Sequence, residues 1–161
     1  MTHINRLTVV TLGVADLPRA VQFYVKVFGR PAHDENPGVA FFDLPGTWIA
    51  LYPRSDLAAD IGPEVPAAAP AFGGVTLAYN VASRAEADAL MAHAAACGAR
   101  IAKPAQDTFW GGYSGYFADP DGHYWEVVWA PMFRFAPDGA LVGWGDEGTP
   151  TPAANTGPLP T

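Results

Sequence analysis

Two stretches decide the fold: Pro45-Gly46-Thr47-Trp48-Ile49-Ala50-Leu51 and Asp121-Gly122-His123-Tyr124-Trp125-Glu126-Val127. Laid over one another, Gly46 meets Gly122, Trp48 meets Tyr124 and Ala50 meets Glu126. Each reads as a tight turn followed by a strand, with Pro45-Gly46 and Asp119-Pro120-Asp121-Gly122 supplying the turn chemistry. Outward from these hairpins the likeness continues. Val14-Ala15-Asp16 opens a run that closes at Gly29-Arg30, and Val81-Ala82-Ser83 opens a matching run that closes at Gly98-Ala99-Arg100. The chain is one unit written twice.

Each unit reads strand–helix–strand–strand–strand. In the first, Leu7 to Val14 is a β-branched apolar strand. Asp16 caps a helix that tolerates Pro18 in its first turn and ends at Gly29. Val21, Tyr24, Val25 and Phe28 recur at helical spacing, so they mark its buried face. Short strands follow at Ala32-His33, Val39 to Leu44 and Thr47 to Tyr52. In the second unit a strand runs from Gly74 to Val81. Ser83 and Glu86 form a capping box over a helix that buries Ala87, Leu90, Met91 and Ala94. Strands are expected at Arg100 to Lys103, Gly112 to Ala118 and His123 to Trp129. The predicted organisation is a first βαβββ module over 4–53, an Ala/Pro-rich semi-rigid linker over 54–72, a second module over 73–130, and a C-terminal extension over 131–161. Met132 to Trp144 is apolar enough to dock on the body or a partner subunit, and 146–161 reads as irregular.

The bulk numbers narrow the function classes. The 161 residues suffice for one domain or two small modules, and 50% hydrophobic content supports a packed core. A net charge of −7 argues against nucleic acid and anionic membrane as partners. No apolar run is long enough for a bilayer, the first residues lack a signal-peptide layout, and Cys97 stands alone. A reducing cytoplasm is the simplest location.

The paired pattern, with Val14-Ala15-Asp16-Leu17-Pro18-Arg19-Ala20-Val21-Gln22-Phe23-Tyr24 in one unit and Asp119 to Glu126 in the other, resembles the vicinal oxygen chelate superfamily. That group includes glyoxalase I, extradiol dioxygenases and bleomycin resistance proteins. The resemblance covers about residues 4 to 130. It implies an α+β fold: two βαβββ modules forming a curled eight-stranded mixed sheet, helices outside and a ligand cup inside. In the metal-binding members, ligands come from the first and last strand of each module. Carried onto this chain, those positions fall near Val9, near Gly74, at Ala50 and at Glu126. Only Glu126 can ligate a metal. His123 alternates to the opposite face from Glu126, His93 lies off the helix's apolar face in solvent, His33 sits in an edge segment, and His3 is terminal. No metal and no cofactor is therefore expected.

The parity of Ala50 and Glu126 also takes in Trp48, Tyr52, Tyr124 and Val128, which should line the cup with Thr11 and Thr76. Ile49, Leu51, Trp125, Val127 and Trp129 should pack under the helices. Trp110, in a loop before the second hairpin, can form a wall or lid. Trp48, Tyr52 and Tyr124 serve equally well as plain core. The ligand-binding set is thus Thr11, Trp48, Tyr52, Thr76, Trp110, Tyr124 and Glu126, with Glu126 as the one candidate acid or base. A carboxylate on an inner sheet face needs a partner, such as an internal hydroxyl or Arg54. The expected function is metal-free binding of a small organic molecule in an aromatic cup, by a homodimer. The competing expectation is a glyoxalase- or dioxygenase-type enzyme (lyase, isomerase or oxygenase) that uses a degenerate metal site or Glu126 alone. A third is a subunit whose cup is filled by its own side chains.

Overall fold

The computed structural model describes residues 6–34, 36–68 and 72–144. The chain divides into two compact units, Met1–Gly73 and Gly74–Thr161. In the first, β1 (Val9–Val14) leads into α1 (Leu17–Phe28), then β2 (Ala40–Phe42) and β3 (Trp48–Pro53). β3 lies in the centre of the sheet, parallel to β1 and antiparallel to β2. In the second, β4 (Thr76–Asn80), α3 (Arg84–Ala96), β5 (Arg100–Asp107), β6 (Tyr113–Ala118) and β7 (Tyr124–Trp129) give the sheet order β4-β7-β6-β5. The fold is α+β with mixed sheets, as the duplicated pattern implies. Of the eight expected strand positions, the one at His33 is a single bridge to Phe41.

The local signals act as the residues dictate. Asp16 accepts the Arg19 N–H at 2.9 Å, and Gly29 closes α1 with φ 63. Ser83 accepts the Glu86 N–H at 3.1 Å, while the Glu86 carboxylate reaches back to the Ala82 N–H at 2.8 Å. α3 buries Ala87, Met91 and Ala94 as expected, whereas Leu90 is half-buried. α1 is rotated from the expected stripe: it buries Ala20, Phe23 and Tyr24, leaving Val21 and Val25 half-exposed. Tyr24 is central to both versions, packing on Phe23, Phe28 and Phe42. Ile49, Leu51, Trp125 and Val127 are buried on the expected face.

The segment read as a linker holds a helix, α2 (Arg54–Ile61). Its eight residues contain neither Gly nor Pro, and Asp56 suits the positive end of the helix dipole. Pro63, Pro66 and Pro70, which made the segment look extended, all follow Gly62, where the helix stops. Met132 to Trp144 is also ordered: β8 (Phe133–Phe135) and β9 (Leu141–Trp144) form a hairpin, with Phe133 and Trp144 rings 4.8 Å apart. The reading of 146–161 as irregular lies outside the described residues, as does His3.

β5 extends to Asp107, four residues past the expected end, because it is bulged. Ile101 pairs with Phe117, Lys103 with Tyr116 and Gln106 with Ser114, so β5 carries an extra residue twice. At the second bulge the β5 backbone comes very close to Gly115. A Cβ there would stand 2.8 Å from Ala105 N and 2.9 Å from Ala105 Cα. Only glycine fits, and a clash with backbone is not relieved by a rotamer change. Gly115→Ala is expected to destabilise the protein by about 1–3 kcal/mol, read as a lower unfolding midpoint in denaturant. Gly74→Ala, at a φ of 74 but with open space around it, tests whether the effect is backbone conformation or crowding.

Candidate functional site

The bulges decide which side chains share a face with Glu126. Directly paired residues on neighbouring antiparallel strands point the same way. Tyr116 pairs with Glu126, and Lys103 with Tyr116. Ser114 pairs with Val128, and Gln106 with Ser114. Two rows therefore cross the sheet on the face turned from α3: Lys103–Tyr116–Glu126 and Gln106–Ser114–Val128. Unbulged alternation would leave Lys103 on the Ile101 side. Instead Ile101, Pro104 and Ala105 face Met91 of α3, and Lys103 and Gln106 face away.

Lys103, Tyr116 and Glu126 of the first row and Gln106 and Ser114 of the second floor a cavity of about 270 Å³. Ser114 at its base is 2% exposed. The loop from Thr108 to Gly112 forms one wall. It is held by the Thr108 hydroxyl, which accepts the Gly112 N–H at 2.9 Å, and by a Thr108 N–H bond to the Gly112 carbonyl at 3.0 Å. Trp110 folds back so closely that a Cβ on Gly112 would meet its ring. Its remaining surface, 39% of the residue, lines the cavity together with the exposed Phe109.

Electrostatics are set by few groups. Burial first, and then the Glu126 carboxylate that accepts its hydrogen bond, raise the Tyr116 phenol above its ordinary pKa. Tyr116 thus stays a donor at neutral pH, and it is the internal hydroxyl partner that Glu126 required. The Lys103 ammonium lies 5.8 Å from the centre of the Tyr116 ring, and among the described residues it forms no ion pair. Asp107, at the rim, is neutralised by Arg84 at 2.6 Å.

Of the residues expected at a site, this cavity brings together Trp110 and Glu126. Tyr124 and Thr76 are paired on the same sheet face but outside the lining, and Tyr124 accepts a 3.3 Å hydrogen bond from Arg100. Thr11, Trp48 and Tyr52 belong to the first unit, where Thr11 pairs with Ala50 and Trp48 stacks on His33 at 6.1 Å. Arg54 donates to the Gly13 carbonyl at 3.2 Å. Lys103, Gln106, Ser114 and Tyr116 were missed. Ser114 and Tyr116 were legible from the parity of Glu126, whereas Lys103 and Gln106 were hidden by the bulges.

The three described histidines contact scaffold residues. Asp119 accepts both the Asp121 and His123 N–H groups, at 2.9 and 2.8 Å, and its other oxygen lies 2.9 Å from His123 Nδ1. This is the backbone-bonding role expected of that turn. His93 is half-buried rather than solvated, with its Nε2 3.6 Å from Cys97 Sγ. His33 Nε2 lies 3.7 Å from Asp43.

Residues 3–127 match the model of the Glyoxalase/Bleomycin resistance protein/Dioxygenase superfamily. The chain belongs to that superfamily. It is similar to a glyoxalase-related enzyme from Fulvimarina pelagi, with 32% identity over 88% of this chain and 100% of that one, at a TM-score of 0.79. It is also similar to a glyoxalase/bleomycin resistance protein/dioxygenase from Nocardioides, with 25% identity over 93% and 90% of the two chains and a TM-score of 0.69. A lactoylglutathione lyase from Agrobacterium tumefaciens, 23% identical over 83% and 100% of the two chains at a TM-score of 0.64, shares the fold.

The strand registers correct one equivalence. Ala50 pairs with Thr11 and Glu126 with Ala78, so Val9 corresponds to Thr76 and not to Gly74. The four positions implied for a metal then carry Val9, Ala50, Thr76 and Glu126. One carboxylate and one hydroxyl do not fit a divalent ion, which needs several strong donors. Among the described residues no three His, Cys, Asp or Glu side chains converge.

The Tyr116–Glu126 bond has a pH signature. A phenol raised by folding contributes stability that is complete below its ordinary pKa of about 10 and is lost as pH rises through the folded value. Glu126→Gln removes the charge and weakens the acceptor, so the Tyr116 phenol should titrate lower, while burial still holds it above its ordinary value. Tyrosinate absorbance of Glu126→Gln, with Tyr116→Phe as the blank that identifies the band, measures this. An unmoved titration would show that Glu126 does not govern the phenol.

Proposed function

We propose that this protein binds a small organic molecule in the cavity over the Lys103–Tyr116–Glu126 row, without a metal ion. The single observation that carries the reading is the composition of that cavity. An ammonium, a phenol, a carboxylate, an amide and a buried hydroxyl converge beneath an aromatic wall, and among the described residues no ligand set for an ion lies beside them. A few directed polar groups against an aromatic surface are the usual make-up of a small-molecule site, and about 270 Å³ is slightly below the common range of about 300–1,000 Å³. The occupant is therefore of single-ring size rather than a large drug. The names of the similar proteins, which include glyoxalase and bleomycin resistance protein, are consistent with this class of ligand.

The Tyr116–Glu126 bond favours one second reading, an enzyme in which Glu126 exchanges a proton with the bound molecule and Tyr116 orients the carboxylate. An activity that survives Glu126→Gln would eliminate it. A homodimer agrees with the exposed Leu141, Val142 and Trp144 of the terminal hairpin, and a cytoplasmic location agrees with the lone cysteine. Among the described residues no helix is long and apolar enough to cross a membrane.

Ligand-observed NMR against a library of single-ring metabolites, repeated after dialysis against a chelator, tests the binding reading. Hits are expected to survive the chelator and to weaken about tenfold in Trp110→Ala, which removes the aromatic wall but no polar group. No hit, or hits that vanish with the chelator, would overturn it.

A further inference from the structure

The row that crosses the sheet has opposite charges at its ends and an aromatic ring in the middle. Lys103, Tyr116 and Glu126 sit side by side on β5, β6 and β7. Adjacent strands are about 4.8 Å apart, so the backbones of Lys103 and Glu126 are separated by roughly 10 Å. The two side chains do not neutralise one another, because neither Lys103 nor Glu126 takes part in an ion pair among the described residues. The Tyr116 hydroxyl occupies part of the acceptor capacity of Glu126. A carboxylate has about four acceptor positions, so it can take a further donor. Lys103 offers three donors and a full charge.

We propose, resting on the binding reading above, that the ligand is a planar aromatic acid with a hydroxyl or amino group opposite its carboxylate. Its carboxylate meets the Lys103 ammonium. Its ring lies across the Tyr116 row beneath Trp110. Its far O–H or N–H donates to Glu126. Gln106 and Ser114, in the second row, present an amide and a hydroxyl to the ring's edge. Two features exclude the neighbouring classes. A cation would meet Lys103 with no compensating second carboxylate, since Asp107 is tied to Arg84. A dianion would bring its second charge against Glu126. The bulges give the proposal its specificity, because they turn Lys103 to this face and nothing in the packing of β5 on α3 requires a lysine there.

The test uses the full chain and four probes by titration calorimetry: 4-hydroxybenzoate, benzoate, 4-hydroxybenzamide and benzylamine. For the unmodified protein 4-hydroxybenzoate should bind best. Benzoate, which lacks the donor, and 4-hydroxybenzamide, which lacks the charge, should each be weaker by about tenfold. Benzylamine should not bind. Lys103→Met should erase the preference for 4-hydroxybenzoate over 4-hydroxybenzamide while changing the amide's affinity by less than about threefold. Glu126→Gln, which keeps a neutral and weaker acceptor, should narrow the preference for 4-hydroxybenzoate over benzoate. Both variants are judged on their ratios between probes, so a general loss of folding is separable from a loss of recognition. Equal affinity for acid and amide, or tight benzylamine binding, would overturn the ligand class and leave the site intact. Failure of all four probes, with hits of other chemistry in the NMR screen, would overturn the class alone. Failure of both experiments would overturn the site.

Discussion

The second unit depends on one crowded contact, the approach of the β5 backbone to Gly115. Two extra residues in β5 have to be absorbed somewhere, and a bulge absorbs each by kinking the strand and turning side chains over. The kink pushes Ala105 against β6, and Gly115 is the residue that admits it. Pro104 sits beside the bulge on an edge strand, where its missing N–H breaks no interior ladder. Because β5 is bulged, an ammonium and an amide face away from α3 while Ile101, Pro104 and Ala105 remain against it. The polar cavity is a consequence of strand geometry before it is a consequence of side-chain choice.

Within that geometry the acid is placed where its cost is contained. An isolated buried carboxylate would be expelled or protonated. Glu126 is only half-buried and accepts a hydrogen bond from Tyr116, and burial first and that bond second raise the phenol's pKa. The phenol stays protonated across the physiological range because its ordinary pKa of about 10 is raised further. What the arrangement leaves unfilled is acceptor capacity on Glu126 and the charge of Lys103.

Much of the fold was legible because its signals are local. Asp16, Gly29, Ser83 and Glu86 act within one helical turn, and their hydrogen bonds are those the residue types dictate. Ile49, Leu51, Trp125 and Val127 are buried as alternation requires, although Ala50 and Val128 of the opposite parity are buried too and Trp129 is half-buried. The failures have physical causes as well. Helix α2 was concealed by prolines that all lie beyond Gly62. The α1 stripe differs from the expected one in burying Ala20 and Phe23 in place of Val21 and Val25. The site was half visible. Glu126 and Trp110 stood out by residue type, and Tyr116 could be reached by alternation from Glu126. Lys103 and Gln106 could not, since a bulge reverses parity and leaves no mark in composition except a proline.

The duplication itself supplies a control for the site. In the first unit the row equivalent to Lys103–Tyr116–Glu126–Ala78 is His33–Phe41–Ala50–Thr11. The phenol has become a phenyl ring and the carboxylate a methyl group, and Ala50 is 2% exposed. These two differences travel together for a physical reason: an acid without its hydroxyl partner would be a buried charge in need of another, and the hydroxyl without the acid would lose its acceptor. His33 likewise turns to Asp43 and Trp48, whereas Lys103 has the Tyr116 ring but no ion-pair partner among the described residues. One fold, written twice, therefore packs this face with a phenyl ring and a methyl group in one copy and places opposite charges that form no ion pair among the described residues beside a cavity in the other. A sheet face needs no such charges to be stable, and their presence in only one copy is the ground on which the binding proposal rests.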